Sequence, residues 1–360
     1  MKQIHDLILV VLISLFAMSC NNKSKILIED REVDFLNKTG DVIEGKLVKS
    51  DILGFDNIII FDTLFMVTTW NPEGQLQVFS LNSLEHLGSF CKQGRARNEM
   101  LQAVAVSEQA YYKNGHVFLV LFEPPLTLKE VDITASLQSG NTKIISSQEC
   151  PTMKNGEIVF LGNDYDYNHR YEYERDIFGL NEVTDVPARY TVYKNGEKRQ
   201  LKIFNDLMDT ESPNKKLPYL GSLYKHPHRN LVVQSFQNMN YLLFMDFDAD
   251  KYFAIHQKGS VTFNDTYVHS KSQMPVHFTD GASSSKYLMF LYRQGEYTQK
   301  TTAGDWYPEL LVFDWDGNYI NGFKMDRIIY TIEYDEIHKT LYARNDKEEL
   351  YAYDMKNLIP

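Results

Sequence analysis

Between residues 309 and 355 the chain is cut into short apolar runs by tight polar turns, and this rhythm limits what it can fold into. Glu-Leu-Leu-Val-Phe-Asp at 309–314 is followed by Trp-Asp-Gly-Asn, then by Tyr-Ile-Asn-Gly-Phe-Lys-Met at 319–325. Further runs follow at 330–334, 340–344 and 350–354. Each is too short for a stable helix and rich in the Tyr, Ile, Leu and Phe that suit a pleated surface. Asp316-Gly317 marks a hairpin, because Gly takes the positive φ such turns require. One unit of this kind cannot bury its own apolar faces. Repeated round a ring, it can.

The same rhythm runs back through the chain. Units are read at 56–91, 102–148, from 157 to 204, at 220–256, at 276–325 and at 330–354. Asn71-Pro72-Glu73-Gly74, Lys113-Asn114-Gly115 and Asn195-Gly196 are turns built from the expected residues. The last unit holds only three strands, so a strand from 41–48 or 26–33 is expected to complete it. The fold expected is therefore all-β: a six-bladed β-propeller closed by an N-terminal strand joining the last blade. Six units over residues 41–360 allow roughly 53 residues each, above the ~40–45 of a compact blade, with loops at 164–176, 209–217 and 294–306 absorbing the excess. A pair of sandwiches is the all-β alternative, but no Pro/Gly/Ser linker marks a mid-chain boundary.

Residues 1–19 read as a signal peptide. Lys2 precedes an apolar run at 7–18, which is too short for a membrane-spanning helix of about 20 residues. Ala17, Ser19 and Cys20 resemble a lipoprotein processing site, with Cys20 as the lipidated residue and 20–40 as lipidated Cys and tether before a propeller at 41–360. The formal net charge of −11 argues against a nucleic-acid partner, whose phosphates call for a basic face. Besides Cys20 there remain Cys91 and Cys150, whose pairing the sequence leaves open.

Residues 88–100 read Gly-Ser-Phe-Cys-Lys-Gln-Gly-Arg-Ala-Arg-Asn-Glu-Met. They are similar to the Gly-x-Phe-x-x-x-Gly-Arg-Gly-Pro-x-Glu-Phe signature of TolB-like six-bladed β-propeller lipoproteins of Bacteroidetes. Gly88, Phe90, Gly94, Arg95 and Glu99 match; Ala96, Arg97 and Met100 depart. The resemblance implies a propeller anchored to the outer membrane and carries little chemistry. In such proteins acidic residues just after the lipidated Cys resemble a surface-export signal. None stands here before Glu29, which favours the periplasmic face over the cell surface. Gly94, Arg95, Arg97 and Glu99 are candidates for an interblade crossover or a channel mouth. Arg95 and Glu99, four apart, could pair on a helical turn.

Other constellations are weaker. Tyr165, Tyr167, Tyr171 and Tyr173 alternate with charge and form a candidate binding rim for sugar or peptide, or a strand with packed Tyr and solvated acids. Asp246, Asp248 and Asp250 have the spacing of the first ligands of a calcium loop, but Lys251 stands where glycine is expected, so a hairpin turn is preferred. His226-Pro227-His228 reads as a turn rather than a metal site. No nucleophile elbow, P-loop or zinc-protease motif is present. The function expected is a ligand- or protein-binding module for a peptide, glycan or partner protein, without catalytic residues and with no cofactor. The alternative is a calcium-dependent propeller hydrolase or lactonase, whose site would be assembled from several blades.

Overall fold

The computed structural model describes residues 25–26, 28–38, 40–49, 52, 54–124, 127–149, 157–163, 170–176, 189–194, 197–201, 203–205, 221–260, 275–296 and 307–360. The signal peptide, Cys20, Cys150, Tyr165 and Tyr167 lie outside them. Among the described residues no helix is long and apolar enough to cross a membrane.

The chain is a β-propeller. Blade one comprises Phe55–Phe61, Leu64–Thr69, Leu76–Ser80 and His86–Phe90. Blade two comprises Val104–Lys113, His116–Glu123, Thr127–Asp132 and Ile144–Glu149, with a short helix Ile133–Ser139 before its last strand. Blade three comprises Leu223–Lys225, Leu231–Ser235, Tyr241–Asp246 and Lys251–Gln257. Blade four comprises Pro275–Ser283, Tyr287–Glu296, Glu309–Asp314 and Tyr319–Met325. Blade five comprises Ile329–Asp335, Thr340–Asn345 and Leu350–Asp354, with Lys46–Lys49 as its outer strand.

The expected six blades are corrected to five. The inner strands touch neighbour to neighbour round a closed cycle, blade one to two, two to three, three to four, four to five and five to one. The segment read as a third of six blades does form an antiparallel sheet, Glu157–Asn163, Arg170–Asp176, Arg189–Lys194 and Glu197–Leu201. Its first strand lies beside the inner strands of blades two and three, which already touch each other. The ring thus closes without it.

The turns follow from the sequence. Asn114 and Gly115 both have positive φ, 51° and 81°, as a type I′ hairpin requires. In the turn after Asp314, Gly317 has φ 78°, and the Asp314 carboxylate accepts the amides of Asp316 and Asn318.

Packing explains why the strands are apolar on both sides. In Leu64–Thr69 every residue is buried. Leu64 and Met66 join a cluster with Val117, Leu119 and Leu121 of blade two. Phe65 and Val67 point the other way, to Tyr342 and Leu350 of blade five. Alternate side chains of one strand thus serve two different interfaces. Equivalent clusters fill the seams between blades three and four and between blades four and five.

The N-terminal part is a strap across three blades. Glu29–Val33 pairs parallel to Lys251–Gln257, Val42–Ile43 parallel to Tyr319–Met325, and Lys46–Lys49 antiparallel to Leu350–Asp354. The expected tether boundary at residue 40 falls within it. Phe35 is its anchor, fully buried edge-on against Tyr292 and Phe313 at 6.0 and 5.6 Å. The Gln257 Oε1 accepts the amides of Phe35 and Leu36, at 2.9 and 3.1 Å, and its Nε2 donates to Asp34. Arg31 lies over the Phe253 ring at 4.2 Å and donates to the Asp316 carbonyl. His256 sits 2.7 Å from the Asp30 carboxylate, whose hydrogen bond holds the imidazole above its ordinary value. Phe35→Ala is expected to cost about 3–5 kcal/mol, read as a lower denaturation midpoint, with amides 29–36 losing hydrogen-exchange protection first.

Candidate functional site

In a ring of five blades each inner strand has one edge with no neighbouring strand, so its backbone groups look into the centre. Here that centre is a cavity of about 230 Å³. Its wall is drawn from all five inner strands and the turns that follow them: Asn57 to Asp62, Ala105 with Ala110 and Tyr111, Lys225 with Pro227 and His228, Asp280 and Gly281 with Ser283 and Ser284, and Thr331 to Ile337. Most of these lie toward the end of an inner strand, where it turns back into the second strand. The cavity mouth is therefore on the face carrying those first hairpin turns.

Asp280 is the focal group. It sits at a break in the pairing of Pro275–Ser283 with Tyr287–Glu296, where the register shifts between Phe278 and Asp280. The irregularity frees its side chain to reach the next blade, where Oδ2 accepts the Ile332 amide at 2.8 Å. The Gly281 amide bonds to it as well. Burial pushes the carboxyl up to about 7, against the opposing pull of these amides and of the Arg344 guanidinium. Asp56 is likewise raised by burial and lowered by Arg344. Arg344 approaches the Phe55 ring at 5.8 Å, and its buried Nε meets no hydrogen-bond partner among the described residues. Gly281 makes room for this arrangement. A Cβ there would stand 2.7 Å from the Met289 carbonyl and 2.9 Å from the ring of Tyr224, which is itself 2% exposed.

The mouth is stiffened by its own turn. Asp335, 2% exposed, accepts the amides of Ile337 and His338 and holds the His338 ring at 2.5 Å. Glu336 accepts the Ser285 amide at 2.9 Å and its hydroxyl, tying blade five to blade four. Ile337 is left 70% exposed at the rim. His226, between the lining residues Lys225 and Pro227, is buried against Trp315, with ring centroids 4.8 Å apart. Desolvation lowers it to about 4, so it is neutral at ordinary pH.

The loop holding Gly94, Arg95, Arg97 and Glu99 lies elsewhere. It joins the outer strand of blade one to the inner strand of blade two, so it occupies the end opposite the first hairpin turns. Its fixed member is Glu99, whose carboxylate folds back to accept the Ala96 amide at 2.9 Å. A Cβ on Gly94 would stand 1.9 Å from that carboxylate, so any larger residue there would have to push the Glu99 side chain aside. Lys129 donates to the Glu99 carbonyl, and Gln75 bridges Met100 and Ala103, sealing the crossover. Arg95 and Arg97 are exposed, and among the described ion pairs Arg95 does not meet Glu99.

Tyr171 and Tyr173 fall in the strand Arg170–Asp176 of the sheet beside blades two and three, in register with Gly162 and Phe160. Cys91 is a buried free thiol, pushed up to about 12 by its burial. The carboxylates at 246–250 are engaged separately: Asp246 with Arg229 and two turn amides, Asp248 with Asn230, Asp250 with Tyr252. Among the described residues no three His, Cys, Asp or Glu side chains are grouped to hold a metal ion.

Sequence reasoning missed Asp280, Asp56, Arg344 and Glu333. The available signal was Thr279-Asp280-Gly281 inside an otherwise apolar run, since an isolated polar pair with glycine in a strand marks a bulge.

No family model and no curated protein matches the sequence. The fold is similar to that of a candidate exported protein of Bacteroides fragilis, with a TM-score of 0.55 and 8% identity, over 91% of this chain and 99% of that one. It is also similar to a member of the DUF4221 family from Bacteroides vulgatus, with a TM-score of 0.52 and 10% identity, over 92% and 98%. At these identities the likeness is one of fold.

Asp280 gives the site a measurable pH signature. In the fold its carboxyl keeps its proton to about pH 7, whereas its ordinary value is 3.8. Its contribution to stability is therefore complete below 3.8 and lost as the pH rises through about 7. His226 and His277, both lowered to about 4 by burial, act in the opposite sense and lose stability as the pH falls below 6.5. Asp280→Asn is expected to gain about 1–3 kcal/mol at pH 8 and nothing at pH 4, read by urea denaturation at the two pH values.

Proposed function

We propose that the chain is a lipid-anchored β-propeller of the bacterial envelope that acts as a binding module, taking a small ligand or a protruding group of a partner at the mouth of the central cavity. The observation carrying this reading is the cavity itself. Five separate inner strands converge on one concave wall where polar and charged side chains stand beside apolar ones, and concave sites with convergent polar groups are where ligands bind.

The anchoring half of the proposal rests on the apolar run at 7–18 followed by Cys20, and on the resemblance of residues 88–100 to TolB-like propeller lipoproteins. The likeness to a candidate exported protein agrees with export. The outer membrane is the proposed site, on its periplasmic face. Cys20→Ser is expected to abolish incorporation of labelled palmitate and to release the chain from the membrane fraction. Unchanged labelling would remove the anchor from the proposal.

The binding half is tested by thermal shift of the full chain in detergent micelles against peptides, glycans and small metabolites. A ligand held only by the folded state raises the melting temperature with occupancy. Ile337→Asp, at an exposed rim position, is expected to weaken the hit about tenfold while leaving the unliganded melting temperature unchanged. A saturable calcium shift reversed by chelator, with no shift from the panel, would overturn this reading in favour of a calcium-dependent hydrolase.

A further inference from the structure

The first strand of the strap, Glu29–Val33, divides its side chains between two faces. Arg31 lies over the Phe253 ring and reaches the Asp316 carbonyl of blade four, and Val33 packs against the core of that seam. Asp30 and Glu32, one residue out of phase, fall on the other face, where they meet His256 of blade three. The imidazole stands between them. Its Nδ1 is 2.7 Å from the Asp30 carboxylate and its Nε2 is 3.7 Å from that of Glu32. An acceptor at each nitrogen calls for a proton on both. A neutral imidazole has one N–H and one lone pair, so either neutral tautomer turns a lone pair toward a carboxylate.

The remaining groups near the ring favour the same charged form. Tyr241, directly across the ladder, stacks on His256 with centroids 4.9 Å apart and planes 25° from parallel. An aromatic face suits a cation. The Tyr241 hydroxyl keeps its proton, because burial and the Asp30 and Glu32 charges all raise it. Arg31 and Lys251 lie over the Phe253 ring, on the opposite face of the strand from His256. Asp34 is taken up by the Gln257 side chain, and Lys258 is exposed in the turn that follows. The charges acting on the imidazole are those of Asp30 and Glu32, and the Asp30 hydrogen bond holds it above its ordinary 6.5 against the effect of burial.

This contact matters because burial does little for the strand. None of the five residues in Glu29–Val33 is buried. The strand is held by its parallel ladder to blade three, by Arg31, and by the imidazole between its two carboxylates. The buried anchor of the strap, Phe35, lies beyond its end. We propose that His256, Asp30 and Glu32 form a proton-set clasp, which fastens the first strand of the strap to blade three at acidic pH and loosens it as the pH rises, with Phe35 as the fixed point. Loosening leaves the outer edge of Lys251–Gln257 without its parallel partner. With the strand undocked, His256 faces water and takes its ordinary 6.5. The clasp is therefore complete below 6.5 and is lost as the pH rises through the raised value of the docked state. No ligand of the central cavity enters this inference.

The test is hydrogen exchange of the full chain in detergent micelles at about pH 5.5 and about pH 8.5, corrected for the intrinsic exchange rate at each. Protection of amides 29–33 is expected to fall about tenfold across that range. His256→Gln keeps a donor for one carboxylate but does not titrate, and is expected to abolish the fall. Asp30→Asn is expected to shrink it and, in an NMR titration of the imidazole, to bring the His256 midpoint back toward 6.5. Glu73→Gln, on an exposed pair with Lys92, is expected to change neither. No fall in the unaltered chain, an equal fall in His256→Gln, or a His256 midpoint at or below 6.5 would overturn the inference. If His256→Gln does not fold, the Asp30→Asn titration decides, and an unmoved midpoint overturns it.

Discussion

A sheet with two apolar faces has no stable place except between two others. That constraint organises this molecule. In blade one the side chains of a single strand alternate between Val117 and Leu119 on one side and Tyr342 and Leu350 on the other. No blade can therefore complete its packing alone, and a row of blades would leave an apolar face at each end. Closing the row into a ring removes both ends. The ring in turn creates the centre, because inner strands that meet only at their faces leave one backbone edge unpaired. Asp280 accepting the Ile332 amide is a local answer to that leftover edge.

How much of this was legible in the chain differs by range. The turns were, because Asn114-Gly115 and Asp316-Gly317 act within a few residues and their positive φ is a property of glycine and asparagine. The strands were, because burial on both faces leaves continuous apolar runs. The number of blades was not. Residues 157–201 carry strand rhythm and do form a sheet, yet ring membership depends on whether the inner strands of blades two and three meet, a contact between residues far apart in sequence. The cavity was less legible still. Its members come from five inner strands, and none sits in a motif that announces chemistry. The Gly94–Glu99 motif was conspicuous for a structural reason instead: a carboxylate folded over a glycine and pinned to an amide.

Charge is distributed with the same economy. At the strap, His256 meets Asp30, and Arg31 meets Phe253 and a carbonyl, so each charge has a partner across the seam it closes. At the turns, Asp314 and Asp335 serve backbone amides. At the centre, Asp280 serves the amides of Ile332 and Gly281, and burial raises its carboxyl against the pull of Arg344.

The strap has a bearing on how the molecule comes to be folded. Residues 29–49 are made long before their partners at 251–257, 319–325 and 350–354. Contacts of such long sequence separation form slowly. Until Tyr292 and Phe313 exist Phe35 has no pocket, and until 350–354 exists Lys46–Lys49 has no strand to pair with. The ring therefore acts as a latch that the chain cannot set before its last residues are made. Such delay keeps the growing polypeptide open until late in its synthesis.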